Sequence, residues 1–343
     1  MNRFKIRLAL AFAGLSMALL PHGAALSQEK MRISVDTNAT HVRNKGTEMF
    51  AAELKKRIGD KIIVEIYPSA QLFRDRDIPK ALRQNAIEMG IPGTWQLDGI
   101  EPNSAIQMLP MFYGVDVDTV HKIMDGKLGQ FIAKRMEERL KVKILGGWQD
   151  LGFQHFYSVA KPINKYDDLK GMKIRFPGGS ANAARVKTLG GAPTLIPWPD
   201  LPLAMSQGVV DGVTTTHESA FSAKLWESGL KFGFEDYQYF GQYVPMVNLE
   251  FWNKQPKDVQ TALVAAWEAV VGEQRKMAAK AQIDARETLI KNGVKMAGPS
   301  PAEIVAARKR LMVVQNDLVK EMKIDADAVQ LCLDELRAAK VAY

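Results

Sequence analysis

The sequence predicts an α/β fold with mixed or parallel sheets and about two domains. Short segments rich in β-branched residues alternate with helical segments along the chain, which is the pattern of βαβ units. The chain has 343 residues, of which 47% are hydrophobic, and this is enough for two cores of ordinary domain size. One helical stretch of about 36 residues is too long for a single small domain.

The first 27 residues are predicted to be a cleaved secretory signal peptide, which places the mature protein in the periplasm. Three basic residues precede an apolar run of about 13 residues, and small residues stand just before Gln28. The alternative, a membrane anchor, would need about 20 apolar residues. The segment carries three of the 46 basic residues and no acidic residue, so its removal lowers the net charge from +8 to +5.

The first half of the mature chain is predicted to alternate regularly. A strand over 32–35 precedes an amphipathic helix over 45–58, whose last turn carries three cations that suit the helix dipole. The β-branched run 61–67 predicts a buried strand. The further predicted elements are a helix over 77–85, a strand over 88–91, a helix over 118–139 and a strand over 142–145.

The second half continues the alternation and then enters one long helix. Strands are predicted over 173–176, 193–198 and 209–213, with a helix over 180–189. From 256 to 292 an apolar stripe keeps helical spacing, with proline at its start and Asn-Gly at its end. Such a helix, about 55 Å long, should cross from one domain to another or contact a partner. The alternative is two helices that break near Gly272.

Motifs for catalysis, metal binding and nucleic-acid binding are missing or incomplete. The chain has no phosphate-binding loop, no dinucleotide-binding glycine pattern and no nucleophile elbow. Its mature histidines are far apart in sequence, and a single cysteine, Cys332, excludes an intramolecular disulfide. Basic and acidic residues alternate, as in Arg74-Asp75-Arg76-Asp77, which is typical of a solvated face. We therefore expect no metal, no cofactor and no nucleic acid.

The segment 168–180 predicts a site for a small anion. The strand over 173–176 leads into a glycine pair in which Gly178 allows close backbone approach, and Ser180 is a good helix N-cap. Ligands of open α/β sheets bind beyond the carboxyl ends of strands, and Arg175 stands at such an end. Its guanidinium and the helix N-terminus both favour a carboxylate. A structural ion pair of Arg175 would explain this run equally well.

Three motifs along the mature chain carry a resemblance to a known family. Tyr67-Pro68-Ser69-Ala70-Gln71-Leu72 is similar to the family's motif after the second strand. Lys161-Pro162-Ile163 followed by 168–177 is similar to its signature, and Gly208-Val209-Val210-Asp211-Gly212 to the segment before its second binding loop. In this order, before a long C-terminal helix, they resemble the solute-binding proteins of tripartite ATP-independent periplasmic (TRAP) transporters, dicarboxylate-receptor (DctP) type.

The resemblance implies a two-domain Venus-flytrap fold of the periplasmic-binding-protein kind, with hinge strands and a long helix that crosses both domains. Domain I is expected to hold residues 28–152 and 241–280, and domain II residues 153–240 and 281–343. The implied function is not enzymatic. A monomer that is not embedded in the membrane closes on a small organic anion and delivers it to the TRAP membrane permease subunits.

The resemblance also implies which residues bind the ligand. The arginine that matches Arg175 clamps the ligand carboxylate, and Trp198 matches an aromatic residue of the pocket wall. Thr215 stands where many members have an asparagine, and His155 where some have a second arginine, so a strongly dianionic or sialic-acid-like ligand is disfavoured. The other residues expected to bind are Thr94, Trp95, Gly178, His217, Asn38 and Gln154.

Two other functions stay open on the sequence. An exported enzyme that acts on an organic acid would need a base beside the carboxylate, and His155 or His217 is the candidate. A ligand-binding protein of the same fold could instead feed a sensor partner. The ligand class is open as well, among monocarboxylates, dicarboxylates, keto acids, aromatic acids and phosphorylated polyols.

Overall fold

The computed structural model describes residues 29–341, so the predicted signal peptide lies outside the described residues. The strands are β1 (Glu29–Ser34), β2 (Ile62–Tyr67), β3 (Met89–Gly90), β4 (Val142–Ile144), β5 (Gln149–Phe153), β6 (His155–Ser158), β7 (Lys173–Phe176), β8 (Ala192–Leu195), β9 (Gly212–Thr215), β10 (Phe232–Phe234), β11 (Phe240–Tyr243), β12 (Met246–Asn248) and β13 (Lys295–Ala297). The helices are α1 (Val42–Ile58), α2 (Ile78–Arg83), α3 (Val117–Met124), α4 (Lys127–Leu140), α5 (Ser180–Thr188), α6 (Leu201–Ser206), α7 (His217–Ser222), α8 (Leu249–Lys254), α9 (Lys257–Lys291), α10 (Pro301–Met312), α11 (Gln315–Met322) and α12 (Ala326–Ala338). The predicted α/β class is confirmed.

The first sheet has the order β2-β1-β3-β12-β4. Strand β1 is parallel to β2 and β3, whereas β12 runs antiparallel to β3 and β4. Side chains of β1 such as Met31 and Ile33 are fully buried in a large core that α1 and the long helix cover. The carboxyl ends of three parallel strands therefore lie along one edge of this sheet.

The second sheet has the order β13-β10-β6-β9-β7-β8. Strand β7 is parallel to both β8 and β9, and β6 runs antiparallel to β9 and β10. Two apolar clusters pack against this sheet, one around Tyr157 and Val213 and the other around Phe156 and Ile174. The carboxyl ends of β7, β8 and β9 again share one edge, where open α/β sheets bind ligands.

A two-stranded antiparallel ribbon of β5 and β11 joins the two sheets. The long helix holds this ribbon through two amide side chains. Gln274 accepts from the Asp150 backbone N–H at 2.9 Å and donates to its carbonyl at 2.9 Å. Gln282 donates to the Leu151 carbonyl at 2.6 Å, so the hinge region is tied to one rigid element.

The predicted helix over 256–292 is confirmed as α9, a single helix of 35 residues. It runs through Gly272 without a break, and a side chain at Gly272 would meet nothing within 4 Å. Leu263 and Trp267 belong to the core of the first sheet, whereas Leu289 belongs to a core of the second sheet. At about 52 Å, the helix connects the part of the chain built on the first sheet, called the first body, with the part built on the second sheet, called the second body.

Among the stretches that differ from the sequence predictions, two concern the helices and the domain division. The helix predicted over 118–139 is two helices, α3 and α4, because Gly126 is extended at the N-cap of α4 and Gly129 packs where a Cβ would overlap the Met124 carbonyl. In the stretch 281–343, assigned to domain II, the side chains of α12 such as Cys332 and Leu336 pack in the first core. The division into domains stays a prediction. Among the described residues, no helix meets the length and hydropathy needed to cross a membrane.

Candidate functional site

A cavity of about 240 Å³ lies between the two sheets. One wall comes from the loops that follow β1, β2 and β3, and the other comes from the carboxyl ends of β7, β8 and β9. The predicted site residues on its wall are Trp95, Gln154, Arg175, Gly178, Trp198 and Thr215. Because both bodies contribute, any movement about the hinge ribbon opens or closes this cavity.

Arg175 is a buried cation on the cavity wall. Its side chain is 2% exposed, its Nε donates to the Ile196 carbonyl at 2.9 Å and its Nη1 donates to the Thr214 carbonyl at 3.3 Å. The Cζ atom lies 5.4 Å from the ring centroid of Trp198. Burial lowers the pKa of Arg175 to about 10, so the group is still charged near neutral pH. Within residues 29–341 no carboxylate pairs with Arg175, which excludes the structural ion pair there.

Two uncharged polar side chains accompany Arg175 on the wall. Gln154 and Thr215 are each 3% exposed. The Gln154 backbone is fixed, since its N–H donates to the Tyr239 carbonyl at 3.0 Å. In the part of the chain that the structure describes, neither side chain has a hydrogen-bond partner. An amide and a hydroxyl facing a cavity can each donate to or accept from a ligand.

Trp95 and Gly178 shape the cavity where the two bodies meet. The Trp95 ring packs edge-on against Tyr243, with centroids 5.4 Å apart. Gly178 has a φ of +140°, and a Cβ there would lie 2.9 Å from Oε1 of Gln96 on the opposite body. Glycine at this position therefore permits close approach of the two bodies.

The two predicted histidines lie behind the wall rather than on it. The rings of His155 and His217 stack with centroids 4.5 Å apart, and Nδ1 of His155 accepts from the Tyr237 N–H at 3.2 Å. His217 contacts the Tyr157 hydroxyl at 2.5 Å and Glu235 at 3.2 Å. Burial lowers the pKa of His155 well below its ordinary value, so His155 cannot replace a second arginine. Neither histidine lines the cavity, so ligand contact by His155 and His217 stays a prediction.

Thr94 and Asn38 also have other partners. The Thr94 hydroxyl accepts from Nε2 of Gln107 at 2.9 Å and is fully buried. Asn38 caps its own loop and donates through Nδ2 to the Ser222 carbonyl at 2.6 Å, which joins the two bodies. Neither lines the cavity, so direct ligand contact of Thr94 and Asn38 stays a prediction without support from the cavity wall.

Sequence reasoning missed a group of charged and polar residues on the first-body wall. They are Asp36, Thr37, Arg74, Asp75, Arg76 and Tyr243. The interpretation of 74–77 as a solvated face is wrong for Asp75, which is 3% exposed. Burial raises the pKa of the Asp75 carboxyl, against the opposing effect of the Arg43 guanidinium. Asp36 and Thr37 follow β1, and 74–76 follow β2, so the rule that located Arg175 at a carboxyl strand end also applies to them, whereas Tyr243 ends β11.

Several hydrogen bonds cross the cleft and hold the bodies together. Asp98 accepts from the Ser180 N–H at 2.8 Å, at the first turn of α5. Arg74 makes a bidentate pair with Asp200, at 2.7 and 3.0 Å. The arrangement is a closed one, in which the cavity is bounded on both sides.

We predict that Arg74→Ala weakens ligand affinity by about two- to fivefold at low salt, because the pair with Asp200 stabilises the closed form. Its side chains are 40% and 43% exposed, so the effect should shrink as salt rises. Calorimetric titration of Arg74→Ala, Asp200→Asn and the double variant measures the coupling. If Arg74→Ala reduces the ligand affinity equally in the wild type and in Asp200→Asn, the result would contradict this role of the pair.

Comparison with known proteins gives relatives at low identity, of which the first reported is covered over just under two thirds of its length. The chain is 27% identical over 226 residues to the C4-dicarboxylate-binding periplasmic protein DctP of Rhodobacter capsulatus, spanning 65% of this chain and 66% of that one. It is similar in fold to the sugar acid binding protein DctPAm of Advenella mimigardefordensis in complex with galactonate, with TM-score 0.85, 20% identity and coverage of 91% and 98%. A TRAP periplasmic solute binding protein of Ralstonia eutropha with bound (S)-2-acetolactate gives TM-score 0.83 at 25% identity, with coverage of 90% and 99%.

A family model also matches most of the chain. The model, described as bacterial extracellular solute-binding protein, family 7 (DctP), matches residues 33–321. This stretch includes the second sheet, the first sheet apart from the start of β1, the hinge ribbon and α9. The match, together with the structural neighbours, confirms the resemblance of the three sequence motifs and identifies a class of transport proteins rather than enzymes. The chain belongs to the DctP family of extracellular solute-binding proteins.

Proposed function

We propose that this protein, after export to the periplasm, binds a small organic acid in the cavity by clamping its carboxylate on Arg175. The closed complex then delivers the acid to the membrane permease of a TRAP transporter. The observation that carries the proposal is the unpaired burial of the Arg175 guanidinium at the cavity wall.

Electrostatics explain why this observation points to an anionic ligand. A buried charge without a partner costs several kcal/mol, and an opposite charge with good hydrogen bonds offsets that cost. Two backbone carbonyls orient Arg175 and occupy Nε and Nη1, so Nη2 is left for a ligand. A ligand carboxylate there would form a charge-assisted hydrogen bond in a site shielded from water.

Closure follows from the division of the wall between two bodies. An acid that is bound only to Arg175 touches the second body and not the first. It gains contacts with Trp95 and Tyr243 of the first body only when the two bodies approach each other. The ligand therefore binds the closed form more tightly than the open form and shifts the population toward it. A permease that recognises the closed form would receive only loaded protein. Monomeric protein suffices, because one chain supplies both walls.

Relatives with known ligands are consistent with an acid. The neighbours from Advenella mimigardefordensis and Ralstonia eutropha hold galactonate and (S)-2-acetolactate, and a further TRAP neighbour from Sulfurospirillum deleyianum holds succinate. All three molecules carry a carboxylate, although they differ in size and in the rest of their groups. From these relatives we infer only that the ligand of this protein carries a carboxylate.

A thermal-shift screen of small acids tests the proposal. At a hundredfold excess over Kd, a ligand should stabilise the protein by about 2.7 kcal/mol, a rise in Tm of about 5 °C. Matched uncharged amides of the same acids are the control, and they should give no shift. Mass spectrometry after denaturation should recover the acid intact. Stabilisation by amides and acids alike, or by no acid in a broad panel, would contradict an Arg175-centred carboxylate site.

A further inference from the structure

A buried acidic group faces the cavity from the first body. Arg43 is fully buried and pairs with two carboxylates, with Asp36 at 2.8 Å through Nη1 and with Asp75 through Nη2. Its guanidinium also lies over the Tyr243 ring, 4.3 Å from the centroid. Two carboxyl groups around one guanidinium give this cluster one more acidic group than basic groups, on the wall of the same cavity that Arg175 lines.

The two carboxylates differ in what they have left to offer. Asp75 uses both oxygens, since Oδ1 accepts from Arg43 and Oδ2 accepts from the Gly93 N–H at 3.1 Å. Asp36 uses only Oδ1, on Arg43. Within residues 29–341 its Oδ2 has no hydrogen-bond partner, and the residue is 8% exposed with the cavity beside it. Oδ2 of Asp36 is therefore a hydrogen-bond acceptor available to a ligand.

Of the arginines on the cavity wall, Arg175 interacts with Asp36 electrostatically but without a hydrogen bond, so Oδ2 of Asp36 stays open to a donor from the ligand. Arg74 is engaged by Asp200 through both Nη atoms. Arg76 is half exposed and lies 3.9 Å from Asp77. A carboxylate that accepts only, enclosed with a ligand, requires a donor from that ligand. A second carboxylate, a keto group or an alkyl end would leave Oδ2 of Asp36 without a partner or facing a like charge.

We propose that Asp36 selects acids that carry a hydrogen-bond donor, either a hydroxyl or an ammonium group, besides the carboxylate held by Arg175. The inference rests on the proposed function and narrows its ligand class to hydroxy acids or amino acids. It disfavours dicarboxylates, simple keto acids and unsubstituted aromatic acids. Hydroxyl and ammonium share the same chemistry toward Asp36, and the experiment separates them.

Matched acids that differ in one end group test the selection. For chains of four, five and six carbons, calorimetry compares the unsubstituted acid, the ω-hydroxy acid, the ω-amino acid and the dicarboxylic acid. At the length that fits best, the hydroxy or the amino acid should bind about tenfold or more tightly than the other two. The better of the two identifies the donor. A dicarboxylic or unsubstituted acid that binds as tightly as the better donor acid overturns the inference.

A variant locates the effect at Asp36. Asp36→Asn should reduce the preference for the donor acid by about tenfold and improve relative binding of the dicarboxylic acid. Asp167→Asn, an exposed acid with a side chain 78% exposed, is the matched control and should keep the wild-type ranking. Wild-type ranking in Asp36→Asn overturns the inference. Binding that needs Arg175 but prefers dicarboxylic acids refutes this selection alone, whereas binding independent of Arg175 refutes the proposed function itself.

Discussion

Arg175→Ala is expected to abolish measurable binding of any acid ligand while the protein still folds. In the complex the guanidinium and the carboxylate form a buried, hydrogen-bonded ion pair. Removal of one partner leaves the other charge buried alone, which costs about 3–5 kcal/mol, roughly a hundredfold or more in Kd. Calorimetric titration with the acid found in the thermal-shift screen measures the loss.

The unliganded protein provides the control for folding. Without ligand the Arg175 guanidinium is a buried charge with no carboxylate partner, held by the Ile196 and Thr214 carbonyls. We therefore expect the Tm of Arg175→Ala without ligand to stay within a few degrees of the wild type. Arg310→Ala, at a surface arginine whose side chain is 49% exposed, should keep wild-type affinity. Unchanged affinity in Arg175→Ala would remove Arg175 from the site.

The sequence predicts the fold well where its elements are periodic and long. The β-branched run of β2 and the apolar stripe of α9 are both found within a residue or two of their predicted bounds. The strands β5, β6 and β10 to β13 are not predicted, because they are three to five residues long and pair with distant partners. Short strands of this kind are stabilised by cross-strand and tertiary contacts, which local sequence does not record.

The candidate site is predicted in part for a related reason. Gln154 and His155 are adjacent, yet only Gln154 lines the cavity, because successive residues of an extended chain point to opposite sides. A resemblance between motifs matches positions along the chain but does not show which way a side chain points. For this reason it assigns His155 to the site although the side chain does not line the cavity. Asp36 and Asp75 follow strands as Arg175 does, but their burial around Arg43 depends on tertiary packing, which no local pattern contains. A strand end and a helix start mark Arg175 in the sequence, and the family resemblance assigns it to the ligand carboxylate.

The second large effect concerns a buried titratable pair that crosses the cleft. Nε2 of His41, on the first body, lies 3.0 Å from a Glu218 carboxyl oxygen, on the second. Both side chains are at most 3% exposed. The other carboxyl oxygen of Glu218 accepts from the Val42 N–H at 3.2 Å, and the charged or titratable groups that face the pair are Arg43 and Tyr243. We expect opening of the bodies to expose both groups to water.

Proton counting gives the sign of the pH dependence. In the closed form burial raises the pKa of Glu218 to about 8 and lowers that of His41 to about 3, so the pair holds one proton between these values. Opened to water, Glu218 titrates near 4.5 and His41 near 6.5, so the open pair holds one proton only between pH 4.5 and 6.5. From pH 6.5 to about 8, closure therefore takes up a proton. The count is the same whether the proton lies on the imidazole or on the carboxyl.

Ligand affinity is thus expected to fall as pH rises from about 6.5 to about 8, by up to tenfold per pH unit, and to level off on both sides of this window. Below pH 6.5 the lowered pKa of His41 cancels the raised pKa of Glu218, and below about 4.5 affinity should fall again because the open pair then holds two protons. Titrations near pH 7.5 in buffers of different ionisation enthalpy should report uptake of close to one proton per ligand.

Glu218→Gln separates this pair from other titrating groups. The amide cannot gain or lose the proton, so the pH slope of the affinity between 6.5 and 8 should vanish even if the overall affinity changes. His41 keeps its own partners in this variant, because Nδ1 accepts from the Arg43 N–H and Nε2 then donates to the Ser219 hydroxyl, 3.0 Å away. Glu227→Gln, at an exposed acid of the same body, should keep the wild-type slope. A wild-type protein that binds with no proton uptake at pH 7.5 would show that His41 and Glu218 stay enclosed together in the open form. In that case the pair would be a fixed contact of the hinge side rather than one that forms on closure.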